Sequence, residues 1–183
     1  MAVTAREARQ VFAEADPLYS PAQVDAALDR MAAQITAQLQ DRDPLVVCVL
    51  SGAIVVVGQL LPRLQFPLQL DYLHATRYGN TTQGGELTWV ARSTIPVAGR
   101  VVLVVDDILD EGLTLAAILD YCRETGAREV YSGVLVRKRR LRAVDVKPDF
   151  VALDVGNRYV FGYGMDYHGY WRNAPGIFAV KGL

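Results

Sequence analysis

Two kinds of hydrophobic pattern alternate along this chain of 183 residues. Unbroken apolar runs at 45–50 and 101–105 are typical of strands that are covered on both faces in a parallel sheet. Around these runs, apolar residues recur three or four positions apart, as in helices with one buried face. Such segments lie at 21–39, 53–64 and 113–125. The alternation of the two patterns predicts an α/β fold built on a parallel sheet.

Local signals refine this outline. Ser20, Pro21 and Gln23 have the form of a capping box with proline at the first helical position, so the first long helix is expected to begin there. Residues 75–92 are rich in Thr, Gly, Asn and Gln and lack a core-forming pattern, which predicts a mobile loop. We expect one domain, 1–183, in which helices flank a twisted parallel sheet. Its further strands are predicted near 68–73, 129–136, 150–153 and 159–163.

Composition narrows the class of protein. The formal net charge is −1, which argues against bulk attraction to nucleic acid or to a membrane surface. No apolar run approaches the ~20 residues of a membrane span, and the N-terminus lacks the apolar core of a secretion signal. The two cysteines, Cys48 and Cys122, lie in apolar segments. We therefore expect a cytoplasmic protein without disulfides, and no nucleic-acid or membrane partner.

The end of the 101–105 strand carries the most informative chemistry. Asp106 and Asp107 follow the strand directly, and Gly112 and Thr114 lie where the next helix begins. Backbone N–H groups at a helix start attract a phosphate, whereas two carboxylates repel one. Both features suit a single ligand with a phosphate at one end and hydroxyls or Mg²⁺ at the other. Ribose 5-phosphate is such a ligand, and this edge of a parallel sheet is where ligands bind.

Residues 104–114, Val-Val-Asp-Asp-Ile-Leu-Asp-Glu-Gly-Leu-Thr, resemble the phosphoribosyl-diphosphate (PRPP) motif of type I phosphoribosyltransferases. The resemblance implies that family's fold, with a small hood formed by terminal segments, and Mg²⁺ as cofactor. It implies that Asp110 is the general base at purine N7. The residue at 111 departs from the usual pattern, since a glutamate near a phosphate is repulsive unless it points to solvent. The implied PRPP-binding residues are Asp106, Asp107, Asp110, Glu111, Gly112, Leu113 and Thr114.

A second anion site is predicted at Leu50, Ser51 and Gly52, where the first strand ends in a tight turn whose N–H groups could hold pyrophosphate. In the family this turn binds pyrophosphate and often contains a non-proline cis peptide, but Ser51 replaces the usual lysine. The resemblance also implies that Arg172 grips the pyrophosphate and that Asp166 ligates Mg²⁺. Asp106 and Asp107 would then contact the metal only through ribose or water.

The purine site is predicted from two segments. Five of the six residues at 137–142 are positively charged, and such a run is usually a solvated surface. Lys138 aligns with the family's lysine that binds the oxygen at purine C6, although a shift of one residue would give this role to Arg137. The segment 157–167 resembles one in the hypoxanthine-guanine phosphoribosyltransferases, and it implies that Tyr159 stacks on the purine and Val160 offers its backbone.

Arg77 and Tyr78 align with a Ser-Tyr pair that closes over the reacting centre in the family. A closed loop would exclude water from the ribose and favour transfer over hydrolysis. Because arginine replaces serine, Arg77 could supply the positive charge that Ser51 lacks.

The resemblance implies transfer of phosphoribosyl from PRPP to N9 of hypoxanthine or guanine, giving IMP or GMP and pyrophosphate. From the family alone, a homodimer or homotetramer is expected. Xanthine remains an alternative base, because the backbone groups that read purine C2 leave no mark in the sequence. Two further alternatives are a regulator of the same fold that binds RNA or nucleotides without catalysis, using 137–142, and a Mg²⁺-dependent phosphoacceptor domain.

Overall fold

The structure is a computed structural model, and it describes residues 3–77, 87–142 and 144–183. Helices and strands alternate along most of the chain, as the hydrophobic pattern predicts. The helices are α1 (Ala5–Glu14), α2 (Pro21–Leu39), α3 (Ala53–Leu60), which continues into a 3-10 turn (Leu61–Arg63), and α4 (Leu113–Glu124). The strands are β1 (Asp16–Tyr19), β2 (Leu45–Leu50), β3 (Gln69–Arg77), β4 (Leu87–Ala91), β5 (Val101–Leu109), β6 (Glu129–Lys138), β7 (Phe150–Val155), β8 (Val160–Phe161) and β9 (Ile177–Ala179).

The central sheet has six strands in the order β4-β3-β2-β5-β6-β7. All neighbouring pairs are parallel except β3 and β4. The apolar runs of β2 and β5 occupy the middle of the sheet and are buried on both faces, which is why they show no polar alternation. Helices α2, α3 and α4 pack along the sheet. The predicted α/β fold, a mostly parallel sheet flanked by helices, is confirmed.

Helix α2 begins as its sequence predicts. Ser20 and Gln23 form a reciprocal capping box, and Pro21 occupies the first turn. Its buried face meets the sheet closely, because a Cβ at Gly133 of β6 would lie 2.6 Å from the terminal methyl carbon of Met31. Glycine at this position therefore allows the helix to pack directly on the strand.

Both ends of the chain form the predicted hood. Strands β1, β9 and β8 make a separate antiparallel sheet of three strands. Helix α1 packs on it through Phe12, whose ring stacks on Trp171 with 4.5 Å between centroids. The Trp171 indole N–H also donates to the carbonyl of Ala8 at 2.6 Å. The sequence had predicted neither α1 nor β1, because their apolar positions are few and serve mainly this contact.

The predicted loop at 75–92 needs correction at both ends. Residues 75–77 continue β3, and 87–91 form β4, which pairs antiparallel with β3. These residues form an antiparallel pair at one edge of the sheet, and the backbone hydrogen bonds of such a pair do not require an apolar pattern. Tyr78 lies outside the described residues, as does the rest of the segment up to 86. The mobility of that segment therefore stays a prediction.

Candidate active site

A cavity of about 540 Å³ opens at the carboxyl ends of β2 and β5. The parallel register of these two strands, which pairs Cys48 with Val105, brings their following residues to the same edge of the sheet. The structure thereby gathers the predicted pyrophosphate turn, the predicted PRPP loop and two residues of the C-terminal segment. The lining includes Leu50, Ser51, Gly52, Asp106, Asp107, Asp110, Glu111, Gly112, Leu113, Thr114, Asp166 and Arg172.

The paired acids lie at the back of this cavity. Asp106 is only 8% exposed, and its Oδ1 accepts the N–H of Asp107 at 2.9 Å. Burial raises the pKa of Asp106 well above its ordinary value, and the neighbouring Asp107 carboxylate raises it further. Burial also raises the pKa of Asp107, against the opposing charge of Arg172. A ligand that supplies hydroxyl donors or a cation would therefore stabilise the ionised form of both acids.

The loop from Asp110 to Thr114 leads into α4 through Gly112, whose φ of +84° is left-handed. A Cβ at this residue would lie 2.6 Å from Cγ1 of Val146, so both conformation and space favour glycine. No side chain of the described residues caps this helix start. Its first N–H groups face the cavity without a side-chain acceptor, which is the arrangement of a phosphate site.

The turn at Leu50 to Gly52 lies across the cavity from this loop. The Leu50–Ser51 peptide is cis, as the family pattern suggested. Two glycines leave room around this turn. A Cβ at Gly52 would lie 2.0 Å from Oδ2 of Asp107, and a Cβ at Gly164 would lie 2.1 Å from the carbonyl oxygen of Gly52. The turn offers backbone groups and a hydroxyl to an anion, and no positive charge of its own.

Positive charge enters the cavity from the C-terminal segment. Arg172 pairs with Asp166 at 2.7 Å between Nη2 and Oδ1, and its Nη1 donates to the Gly164 carbonyl at 2.7 Å. The other Asp166 oxygen accepts the Gly169 N–H at 2.6 Å. Trp171, the neighbour of Arg172, bonds to Ala8 of α1, which ties this segment to the hood. Arg172 is the only arginine among the described residues that line the cavity.

A second cavity, of about 260 Å³, adjoins the first and shares Asp107, Asp110 and Asp166 with it. Tyr159 and Val160 line it. The Tyr159 ring is stacked near His168, with 6.1 Å between centroids and 19° between planes, and the residue is 37% exposed. A flat aromatic ligand fits such a surface.

The last two residues of β6, Arg137 and Lys138, are both basic, and their side chains have different partners. Lys138 lines the second cavity and is 9% exposed, with its Nζ 2.5 Å from Oδ2 of Asp110. Arg137 instead pairs through two nitrogens with Asp154, at 2.7 and 3.1 Å. The geometry therefore favours Lys138 over Arg137 as the residue that faces a bound base.

Two residues at the site, Arg140 and His74, were not predicted from the sequence. Arg140 reaches Oδ1 of Asp110 at 2.8 Å, and His74 lines the first cavity at the end of β3. The basic run was the available signal for Arg140, but nothing in the sequence shows which of its members turn inward. Glu111, which the pattern could not place, is largely exposed and lies 3.8 Å from Arg140. Its exposure lets water screen the repulsion expected between it and a phosphate, although the residue also lines the first cavity.

Not every predicted role can be located. Tyr78 lies outside the described residues, and only the backbone of Arg77 is described. Within the ranges that are described, no three His, Cys, Asp or Glu side chains form a metal-binding group. No described helix is long and apolar enough to cross a membrane.

The paired acids and the start of α4 lie together at one edge of a mostly parallel sheet, which is the arrangement that the PRPP motif predicts. The family profile described as "Phosphoribosyl transferase domain" matches residues 16–168, and this chain belongs to that family. It is 33% identical to the hypoxanthine-guanine phosphoribosyltransferase of Bacillus subtilis over 90% of this chain and 92% of that one. It is 34% identical to the hypoxanthine-guanine-xanthine phosphoribosyltransferase of Tritrichomonas foetus over 90% of both chains.

Solved structures agree with this assignment. A hypoxanthine-guanine-xanthine phosphoribosyltransferase superimposes with a TM-score of 0.83 at 32% identity, covering 91% of this chain and 96% of that one. A hypoxanthine phosphoribosyltransferase from Staphylococcus aureus superimposes with a TM-score of 0.89 at 24% identity, covering 93% and 94%, and shares the fold. The resemblance drawn from the PRPP motif is confirmed at the level of the family.

Proposed function

We propose that this protein transfers the 5-phosphoribosyl group from PRPP to N9 of hypoxanthine or guanine, giving IMP or GMP and pyrophosphate in purine salvage. One observation carries the proposal: the phosphate-loop cavity adjoins an aromatic-lined slot, and the two share Asp107, Asp110 and Asp166. A sugar phosphate in one and a flat base in the other would meet at these acids. The names of the relatives support this choice of substrates.

In this proposal each of the three chemical parts of PRPP has its own binding site. Its 5-phosphate binds the N–H groups of the loop from Asp110 to Thr114. Its ribose hydroxyls donate to Asp106 and Asp107, whose raised pKa values such donors would lower. Its diphosphate lies between the turn at 50–52 and Arg172. Positive charge at the leaving group stabilises the charge that builds up there as the bond to the ribose breaks.

Mg²⁺ is the implied cofactor, and the donor set fits it. The cavity supplies carboxylates from Asp166, Asp106 and Asp107, and Mg²⁺ prefers a few carboxylates together with water and substrate phosphates to a closed protein cage. Asp166 would hold it directly, and the paired acids through ribose or water. When bound, Mg²⁺ neutralises part of the diphosphate charge.

The base is selected and deprotonated in the second cavity. Lys138 donates to the oxygen at purine C6, a contact that adenine cannot accept because it carries an amino group there. Tyr159 stacks on the ring and Val160 offers backbone groups to its edge. As N9 forms its bond to the anomeric carbon, the electron pair of the broken bond leaves with diphosphate, and Asp110 takes the proton from N7.

The assignment is tested by incubating purified protein and PRPP with Mg²⁺ and one base at a time: hypoxanthine, guanine, xanthine or adenine. We expect nucleotide from hypoxanthine and guanine and none from adenine. Faster turnover of xanthine than of hypoxanthine or guanine would instead support a xanthine-preferring enzyme; the name of the Tritrichomonas foetus relative includes xanthine beside the other two bases. Absence of nucleotide with every base would overturn the proposal.

The RNA-binding alternative has less support. Four arginines of 137–142 are engaged with Asp154, Asp110 or backbone carbonyls of the same region. Cations already engaged in this way offer less to a phosphate backbone. We also propose a cytoplasmic homodimer or homotetramer, and light scattering on the purified chain tests the oligomeric part of this statement.

A further inference from the structure

Two cations of the basic run 137–142 contact the same carboxylate, that of Asp110. Lys138 Nζ and Arg140 Nη1 contact different oxygens of Asp110, at 2.5 and 2.8 Å. Arg142 donates to the Asp110 carbonyl at 3.1 Å and also to the carbonyl of Lys138. Both carboxylate oxygens of the proposed general base are therefore engaged before any base binds.

This arrangement disfavours the proposed reaction while both cations stay on Asp110. A cation on a carboxylate oxygen lowers the affinity of that oxygen for a proton, and Asp110 must accept the N7 proton. Lys138, in contrast, has its own role at the C6 oxygen of the purine. When Lys138 turns to the base, it releases Oδ2. Arg140 has no such role, so it can stay on Oδ1 throughout.

Arg140 has a second partner, but a poorer one. Its Nη2 lies 3.8 Å from Oε1 of Glu111, which is beyond hydrogen-bond distance. The Glu111 side chain is 60% exposed, against 37% for that of Asp110, so water screens its charge more strongly. The contact with Asp110 is therefore the stronger constraint on the guanidinium.

We propose that Arg140 is a positioning residue for phosphoribosyl transfer: it holds Oδ1 of Asp110, so that Oδ2 faces the purine once Lys138 has moved to the base. This inference rests on the proposed function. It assigns Arg140 a role through Asp110 alone, without contact with either substrate. The role predicts an effect on turnover and little effect on PRPP binding, because the orientation of the general base matters at proton transfer.

The test compares Arg140→Gln with Arg139→Gln in the full chain with PRPP, Mg²⁺ and hypoxanthine. Arg139 is the matched control, since its side chain is 75% exposed and, among the described residues, its one ion pair is with Asp154, at 3.5 Å. Misplacement of a catalytic group can reduce turnover strongly, so we expect kcat of Arg140→Gln to fall by about tenfold with KM for PRPP within about twofold of wild type. Arg140→Lys keeps the charge and should recover part of kcat. Arg139→Gln should match wild type.

Thermal unfolding and PRPP titration of each variant separate a folding defect from a kinetic one. The double variant Glu111→Gln/Arg140→Gln separates two roles of Arg140. If the loss lies in KM for PRPP and the double variant reverses it, Arg140 acts by neutralising Glu111 near the phosphate, and the inference is overturned. It is also overturned if active wild type and Arg140→Gln have equal kcat. An inactive wild type would instead reject the proposed function.

Discussion

Asp107 lies directly over Gly52. A Cβ added at residue 52 would come within 2.0 Å of Oδ2 and 2.9 Å of Oδ1 of that carboxylate. The carboxylate at the end of β5 therefore occupies the space that a side chain at Gly52, after the end of β2, would need. The proposed pyrophosphate turn and the proposed ribose site are therefore in close contact at this point.

Gly52→Ala should therefore damage PRPP binding more than it damages the fold. The methyl group displaces either Asp107 or the turn, and we expect KM for PRPP to rise on the order of tenfold or more, since small misplacements at a site are costly. Steady-state kinetics with varied PRPP measure this. Gly58→Ala is the control, because a Cβ there meets nothing within 4 Å and alanine favours a helix by up to about 1 kcal/mol. If both variants bind PRPP equally well, Gly52 and Asp107 are not coupled.

Lys138→Gln should lower kcat/KM for hypoxanthine by about a hundredfold, because a charged donor to a buried acceptor contributes about 1.5–3 kcal/mol. Discrimination against adenine should fall with it. Arg137→Gln is the neighbouring control: it removes the half-buried pair with Asp154 and should cost about 1 kcal/mol of stability. Kinetics with both bases decide between the two residues. A larger loss in Arg137→Gln would show that the predicted register is displaced by one residue.

The extent to which sequence determined these features follows from how local their causes are. The buried run of β5 and the capping box at Ser20 are written in neighbouring residues, and both were predicted. Helix α1 depends on Trp171, more than 150 positions away, and so gave almost no local signal. The same holds for Arg140, because its contact with Asp110 is made only after β5 and β6 have paired. The family motif located the acids and the lysine, but the cation that completes the set came from the structure.

Asp71 should make stability depend on pH in the acid range. Burial raises the pKa of this carboxyl, but hydrogen bonds from the N–H groups of Ile95 and Tyr72 and from Ser93 and Thr94 outweigh it and lower the pKa from 3.8 to about 2. A lowered pKa means that the stabilisation is complete above 3.8 and is lost as pH falls towards 2. The loss amounts to about 2 kcal/mol.

Urea unfolding of wild type and Asp71→Asn between pH 6 and pH 2.5 measures this difference. The variant should be less stable at pH 6, because one amide oxygen cannot accept all of these donors. The two proteins should approach each other in stability as the pH falls. A constant difference across the range would show that ionisation of Asp71 does not stabilise the 93–95 segment.

Asp106→Asn should make the fold more stable and PRPP binding weaker. Burial and the adjacent Asp107 raise the pKa of Asp106, so above that raised pKa the fold carries the cost of an ionised buried carboxyl. The asparagine oxygen can still accept the Asp107 N–H, as Oδ1 does at 2.9 Å, without that charge. At pH 8 we expect the free energy of unfolding of the variant to be about 1 kcal/mol higher than that of wild type. This is the usual direction when a functional residue that costs stability is replaced. KM for PRPP should rise, since the amide offers the ribose a weaker acceptor. The stability gain should vanish at acid pH, where Asp106 is itself protonated. Urea unfolding at both pH values and kinetics at pH 8 test the two halves together, and a variant less stable than wild type at pH 8 would contradict the expected cost of the buried charge.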